Sequence, residues 1–96
     1  MTEKQIEQKL AREVKALGGM APKFVSPGYD GMPDRLVLLP GGRMMFVEVK
    51  AKGCSPRPLQ ACRHEMLRRL GFRVYILDDA TQIQPMLAEI EGVDTQ

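Results

Sequence analysis

The stretch Pro33-Asp34-Arg35-Leu-Val-Leu-Leu39-Pro40-Gly41-Gly42-Arg43-Met44-Met-Phe-Val-Glu48-Val49-Lys50 holds the information from which the fold can be built. Two apolar, partly β-branched runs, 35 to 39 and 44 to 51, flank Pro40-Gly41-Gly42, and that pattern reads as a β-hairpin. The second run is apolar on both of its alternating faces, so its strand belongs inside a sheet covered on two sides.

On the N-terminal side, Thr2 and Gln5 match a capping box, and Ile6, Leu10, Val14 and Leu17 recur at helical spacing, which predicts a helix from Glu3 to Leu17. Gly18-Gly19 ends it, because glycine takes the left-handed conformation of a helix C-cap without steric cost. Met20 to Val25 reads as a short strand despite Pro22, followed by a long loop from Ser26 to Pro33. Beyond the hairpin, Ser55 is the expected cap of a helix that tolerates Pro56 and Pro58 in its first turn and runs to Leu70. Leu59, Cys62, Met66 and Leu70 form its expected core-facing stripe, and Gly71 its C-cap. Phe72 to Leu77 reads as a buried strand, and Asp79 as the cap of a last helix ending near Glu91. The order is α-β-β-β-α-β-α, an α/β fold with a mixed sheet flanked by helices.

The chain has 96 residues, 44% hydrophobic and 27% charged, which fits one domain over 1–96 and excludes wholesale disorder, collagen and coiled coil. No apolar run approaches the roughly 18 residues of a membrane span, and the start lacks a signal-like segment. Cys54 and Cys62 are too few for a disulfide scaffold. A cytoplasmic protein with free thiols, no membrane partner and one site is expected. The net charge of +2 hides an asymmetry: Lys23 to Arg73 holds ten basic residues and four acidic ones, while Val74 to Gln96 holds five acids and no Lys or Arg. Either a phosphate-facing surface or a solvated basic helix face accounts for it.

Glu48 and Lys50 lie two apart on one strand and therefore project from the same face. They are either solvated with Lys52 or part of a site. Asp34, at the mouth of the preceding strand, bears on the choice. It shares their face only if paired hairpin positions sum to an even number, as 34 and 48 do. A two-residue Gly41-Gly42 turn would give an odd sum and turn Asp34 away, so an odd loop centred on Gly41, with glycine in a left-handed bulge position, is expected. Two converging carboxylates repel each other, and an oxygen-ligated Mg²⁺ or Mn²⁺ relieves that repulsion and supplies a Lewis acid. A lysine beside them can orient water and neutralise charge developing on a phosphate. That combination is suited to phosphodiester hydrolysis.

The same constellation, Pro33-Asp34, thirteen residues, then Glu48-Val49-Lys50, resembles the PD-(D/E)xK nuclease signature, and the element order resembles that superfamily's restriction-endonuclease-like core. More narrowly, Gly31-Met-Pro-Asp34, Phe46-Val-Glu-Val-Lys50, Gln60 and a glutamate in the first helix resemble the VRR-NUC family, over most of the chain from the first helix to Leu77. The resemblance implies metal-dependent DNA cleavage and, for small members of viral or bacterial origin, resolution of four-way (Holliday) junctions by a homodimer. Carried over by position, it implies Asp34, Glu48 and the Val49 carbonyl as metal ligands, Lys50 as the residue assisting the attacking water, and Gln60 as a residue holding Lys50's neighbourhood or the substrate phosphate. Glu7, or Glu3 one turn earlier, matches the first-helix glutamate.

Lys52, Arg57, Arg63, Arg68 and Arg69 are candidate DNA contacts, read as phosphate rather than base contacts because no recognition-helix pattern accompanies them. Cys54, Cys62 and His64 lack the regular spacing of a zinc site, and Cys62 is expected in the core. His64 either contacts a phosphate or faces solvent, and Tyr29 either stacks on DNA or anchors its loop. The rivals to a junction-resolving endonuclease are a nickase or flap nuclease and an inactive nucleic-acid-binding module.

Overall fold

A computed structural model describes residues 1–92. Helix α1 (Glu3–Ala16) begins with the expected reciprocal cap: Gln5 N–H donates to Thr2 Oγ1 at 3.2 Å, and Thr2 N–H to Gln5 Oε1 at 2.8 Å. It buries Ile6, Leu10 and Val14. At Gly19 a Cβ would stand 2.1 Å from the Leu38 carbonyl oxygen, so only glycine lets the chain pass this close to the sheet.

Strands β1 (Arg35–Leu39) and β2 (Arg43–Val49) pair antiparallel, Arg35 opposite Val47 and Leu39 opposite Arg43. Every pair sums to 82, the expected register. Pro40-Gly41-Gly42 forms a three-residue loop, with Gly41 and Gly42 at φ +86° and +76°, where side chains are disfavoured. The segment from Met20 to Phe24 runs beside β1 and makes two isolated bridges rather than a continuous strand. Pro22 contributes only its carbonyl, to Leu36 N–H at 3.1 Å, because it has no N–H to give.

Helix α2 (Pro58–Arg69) crosses over to β3 (Val74–Leu77), which lies parallel to β2, giving the sheet order β1-β2-β3. Asp79 caps a turn of 3-10 helix (Ala80–Gln82) that continues as α3 (Ile83–Gly92). The odd positions of β2, Met45, Val47 and Val49, face a core built with α1 and α3 through Ile6, Leu10, Ile83 and Leu87. Phe46 faces the other way, into a smaller cluster with Leu67 and Val74. This alternation puts Glu48 on the α2 side. No helix among the described residues is long and apolar enough to cross a membrane.

Helix α2 departs from the sequence reading in three ways. Its N-cap is Arg57, with Pro58 as the first helical residue, so Ser55 lies outside it. Its buried residues are Gln60, His64 and Leu67, while Leu59, Met66 and Leu70 are exposed. Cys62 is exposed rather than in the core, and His64 is buried rather than solvated. The reason is local: α2 covers the sheet face that carries Glu48, and a buried carboxylate needs hydrogen-bonding side chains opposite it.

Candidate active site

Asp34 sits where the chain enters β1, and its Oδ1 accepts the Val49 N–H at 3.3 Å. That bond ties the first carboxylate to the strand carrying the second. Burial raises the Asp34 pKa above the usual carboxylate range, the charges of Glu7 and Glu3 add to the rise, and the Val49 N–H opposes it.

Glu48 is 3% exposed. Its Oε2 accepts from Gln60 Nε2 at 3.2 Å and lies 3.4 Å from Lys50 Nζ. Gln60 is held at both ends, since its Oε1 accepts the Arg57 N–H at 2.9 Å, and this orients the amide so that its NH₂ faces Glu48. The helix cap and the site are therefore built from one side chain. Burial, with the Asp34 carboxylate second, pushes the Glu48 pKa up to about 7 against the pull of Lys50.

Sequence reasoning had His64 on the right helical face, four residues after Gln60, but not its burial. The imidazole is 1% exposed. Its Nε2 lies 3.7 Å from Glu48 Oε1, outside hydrogen-bond reach, and both ring nitrogens and Glu48 Oε1 are buried without a partner. Burial lowers the His64 pKa, helped by the charges of Arg68 and Lys50, so the ring beside Glu48 is kept neutral.

Glu7 is brought to the edge of this cluster with its carboxylate engaged: Arg35 donates to Glu7 Oε1 from Nε at 3.0 Å and from Nη2 at 2.7 Å, and from Nη1 to the Ala21 carbonyl at 2.7 Å. Arg35, an odd position of β1 and so on the α1 face, went unremarked in the sequence. Its position opposite the first-helix glutamates was the available signal.

The basic candidates are spread out. Arg57 lines a cleft of about 420 Å³ with Asp30, Gly31, Pro58, Leu59 and Gln60, beside the buried carboxylate. Arg63 donates to the Asp30 carbonyl at 2.8 Å and lies over the Tyr29 ring, 4.5 Å from its centroid, so Tyr29 is held as part of its loop. Arg68 bonds the Val74 carbonyl at 3.0 Å, Arg69 pairs with Glu65 at 3.5 Å, and Lys52 pairs with Asp79 at 3.0 Å.

Among the described residues, no three His, Cys, Asp or Glu side chains form a metal-binding group by themselves. What the pocket does offer is two carboxylates whose proton affinities are both raised and one buried carboxylate oxygen with no partner. This all-oxygen donor set fits a hard divalent cation whose remaining positions are filled by water or substrate oxygens.

No family model matches the chain. It is 51% identical over 85 residues to the protein named "Putative nuclease p44" of Acyrthosiphon pisum secondary endosymbiont phage 1, covering 86% of this chain and 91% of that one. A solved structure described as a VRR_NUC domain superposes with a TM-score of 0.84 at 32% identity, covering 91% of this chain and 96% of the other. With this agreement in sequence and fold over nearly its whole length, the chain belongs to the VRR-NUC family of nucleases.

Proposed function

We propose that this VRR-NUC chain is a Mg²⁺- or Mn²⁺-dependent DNA endonuclease, and that it works as a homodimer resolving four-way junctions. The observation that carries the reading is buried Glu48 with the charge of half-buried Asp34 acting on it, Lys50 being 3.4 Å from the Glu48 carboxylate. A buried acid with a half-buried one beside it is costly unless a cation joins them, and family membership points to nuclease chemistry for that cation. Asp34, Glu48 and the Val49 carbonyl would hold the metal, which when bound supplies Lewis acidity toward the phosphate and its attacking water.

The chain's own groups do the rest. Lys50 orients the water and offsets negative charge developing on the phosphate. Gln60 fixes the Glu48 carboxylate by donating to Oε2, while Arg35 holds Glu7 at the margin, where its charge, with that of Glu3, disfavours ionisation of metal-free Asp34. Lys52, Arg57, Arg63, Arg68 and Arg69 contact the DNA backbone. Arg57 and Arg69 lie twelve residues apart, about 18 Å along α2 at 1.5 Å per residue, so they reach phosphates several base pairs apart.

The test is cleavage of labelled four-way junction, flap and linear duplex with Mg²⁺, Mn²⁺ or chelator. Metal-dependent, paired cuts in the junction are expected. Single cuts in flap or duplex alone would replace the junction reading with a nickase or flap nuclease, and binding without any cut would leave only a DNA-binding module.

A further inference from the structure

The loop 26–33 lies directly on the first turn of α2. Gly31 has φ +87°, and a Cβ there would stand 2.9 Å from Leu59 Cγ and 3.0 Å from the Leu59 carbonyl oxygen, so only glycine permits the contact. Arg63, one turn further along the helix, pins the loop by donating to the Asp30 carbonyl at 2.8 Å with its guanidinium over the Tyr29 ring. The cleft of about 420 Å³ that this contact borders is therefore shaped by the protein itself. Its size falls in the range of small-ligand sites, about 300 to 1,000 Å³.

Position and lining indicate what fills it. Gln60 forms one wall and also donates to Glu48 Oε2, while Gly31 on the other wall stands three residues before Asp34, so the cleft adjoins the acidic pocket. In a nuclease a space beside the cut is taken by phosphate, sugar or base of the substrate. Pro58 and Leu59 are exposed and apolar, and Asp30 brings a carboxylate that is in no ion pair among the described residues. That acid opposes a phosphate. A base suits the lining better, with apolar faces for Pro58 and Leu59 and, on three of the four bases, an exocyclic amine that a carboxylate accepts from. The Arg57 side chain makes no cap hydrogen bond and no ion pair among the described residues, whereas Lys52, Arg63, Arg68 and Arg69 each bind a protein group.

We propose that this cleft is a subsite for the base of one unpaired nucleotide next to the scissile phosphate, with Asp30 accepting from its exocyclic amine and Arg57 holding its phosphate. The proposal rests on the nuclease reading above and names the feature of the substrate that is recognised. A base inside a duplex has both faces covered by its neighbours and its edge paired, so it enters a cleft only by leaving the stack. The cost of leaving is smallest for a nucleotide that is already unpaired. The cleft therefore selects DNA with an unpaired nucleotide at the cut, as at a flap or an opened branch point, over continuous duplex.

The test uses the whole chain. The cut is mapped with wild type and Mn²⁺ on labelled flap and junction DNA, and binding is then measured in chelator, where the DNA stays whole. Replacing the base by an abasic site should lower affinity about tenfold at one unpaired position flanking the cut and at no other. At that position wild type should prefer cytosine to thymine, which has no exocyclic amine, by about fivefold. Asp30→Ala, at an exposed position, should bring the ratio to one. Loss of an acid strengthens binding to every DNA alike through charge, so only the ratio reports the subsite. Abasic sites tolerated at every flanking position, or a cytosine preference that survives Asp30→Ala, would overturn the subsite while metal-dependent cutting left the nuclease reading standing. A wild type that cuts no DNA with either metal would overturn both.

Discussion

Glu48 is held where ionisation is unfavourable, and this has a measurable consequence for the metal-free protein. Its pKa is about 7 in the folded chain against an ordinary value of 4.5. Between those values the folded state binds more protons than the unfolded one, so stability falls as pH rises from about 4.5 to 7, by an amount of order 3 kcal/mol at about 1.4 kcal/mol per pKa unit. His64 acts in the opposite sense, since a lowered imidazole pKa costs stability as the pH drops below its ordinary value of 6.5. The difference between wild type and Glu48→Gln isolates the glutamate: the variant should be the more stable at pH 8 without metal and lose that advantage near pH 4.5, as followed by thermal unfolding. Mg²⁺ or Mn²⁺ should raise the wild-type midpoint most at pH 8 and that of Glu48→Gln little. An unchanging difference across pH would remove the account of a strained carboxylate.

The orphaned nitrogens of His64 lead to a second expectation at the same scale. Replacing the ring by leucine removes two buried polar atoms without partners, so His64→Leu should match or exceed wild-type stability. It also removes the polar group facing Glu48 Oε1, and if the ring closes to a hydrogen bond with that carboxylate when metal binds, metal affinity measured by calorimetry should fall about 10- to 100-fold. Unchanged metal affinity would make the histidine a packing residue only.

At the scale of elements, the hairpin was legible because its register is set by arithmetic. Strand alternation, a loop with consecutive glycines and the need for Asp34 to share a face with Glu48 leave only an even pairing sum. Helix α2 was misread because hydrophobic periodicity assumes that a helix buries its apolar side. Here the buried side answers to Glu48 on the sheet, and the apolar side is left exposed. Glycines test the local account by contrast. Gly19→Ala drives a Cβ against the Leu38 carbonyl and should cost more than about 2 kcal/mol, whereas Gly53→Ala meets nothing within 4 Å and should cost about 1 kcal/mol for its φ of +82° alone. Equal losses by denaturant unfolding would show that the segment after α1 is not held against β1 as described.

For the whole molecule, the proposed phosphate contacts and the proposed metal site are different groups, so affinity and chemistry should separate. Removing a side chain that neutralises one phosphate lowers the slope of log affinity against log salt by roughly one, so Arg57→Ala and Lys52→Ala should weaken DNA binding and flatten its salt dependence. Asp34→Asn and Lys50→Ala should bind nearly as wild type. The sequence carried this division, a basic middle and an acidic end with one carboxylate cluster, since charge order and motif spacing survive without coordinates. It did not carry the clamping of Glu7 by Arg35 or the closing of the pocket by His64, because both join residues far apart in sequence whose meeting depends on how α1 and α2 pack on opposite faces of the sheet. The decisive experiment is strand cleavage of a labelled four-way junction at saturating enzyme, with Mn²⁺ or Mg²⁺, comparing wild type with Asp34→Asn at matched DNA occupancy. Metal-dependent cutting by wild type is expected, with a loss of at least a hundredfold in rate for Asp34→Asn, whereas cleavage by Asp34→Asn at the wild-type rate, or wild-type cleavage that persists in chelator, would refute a metal site built on Asp34 and Glu48.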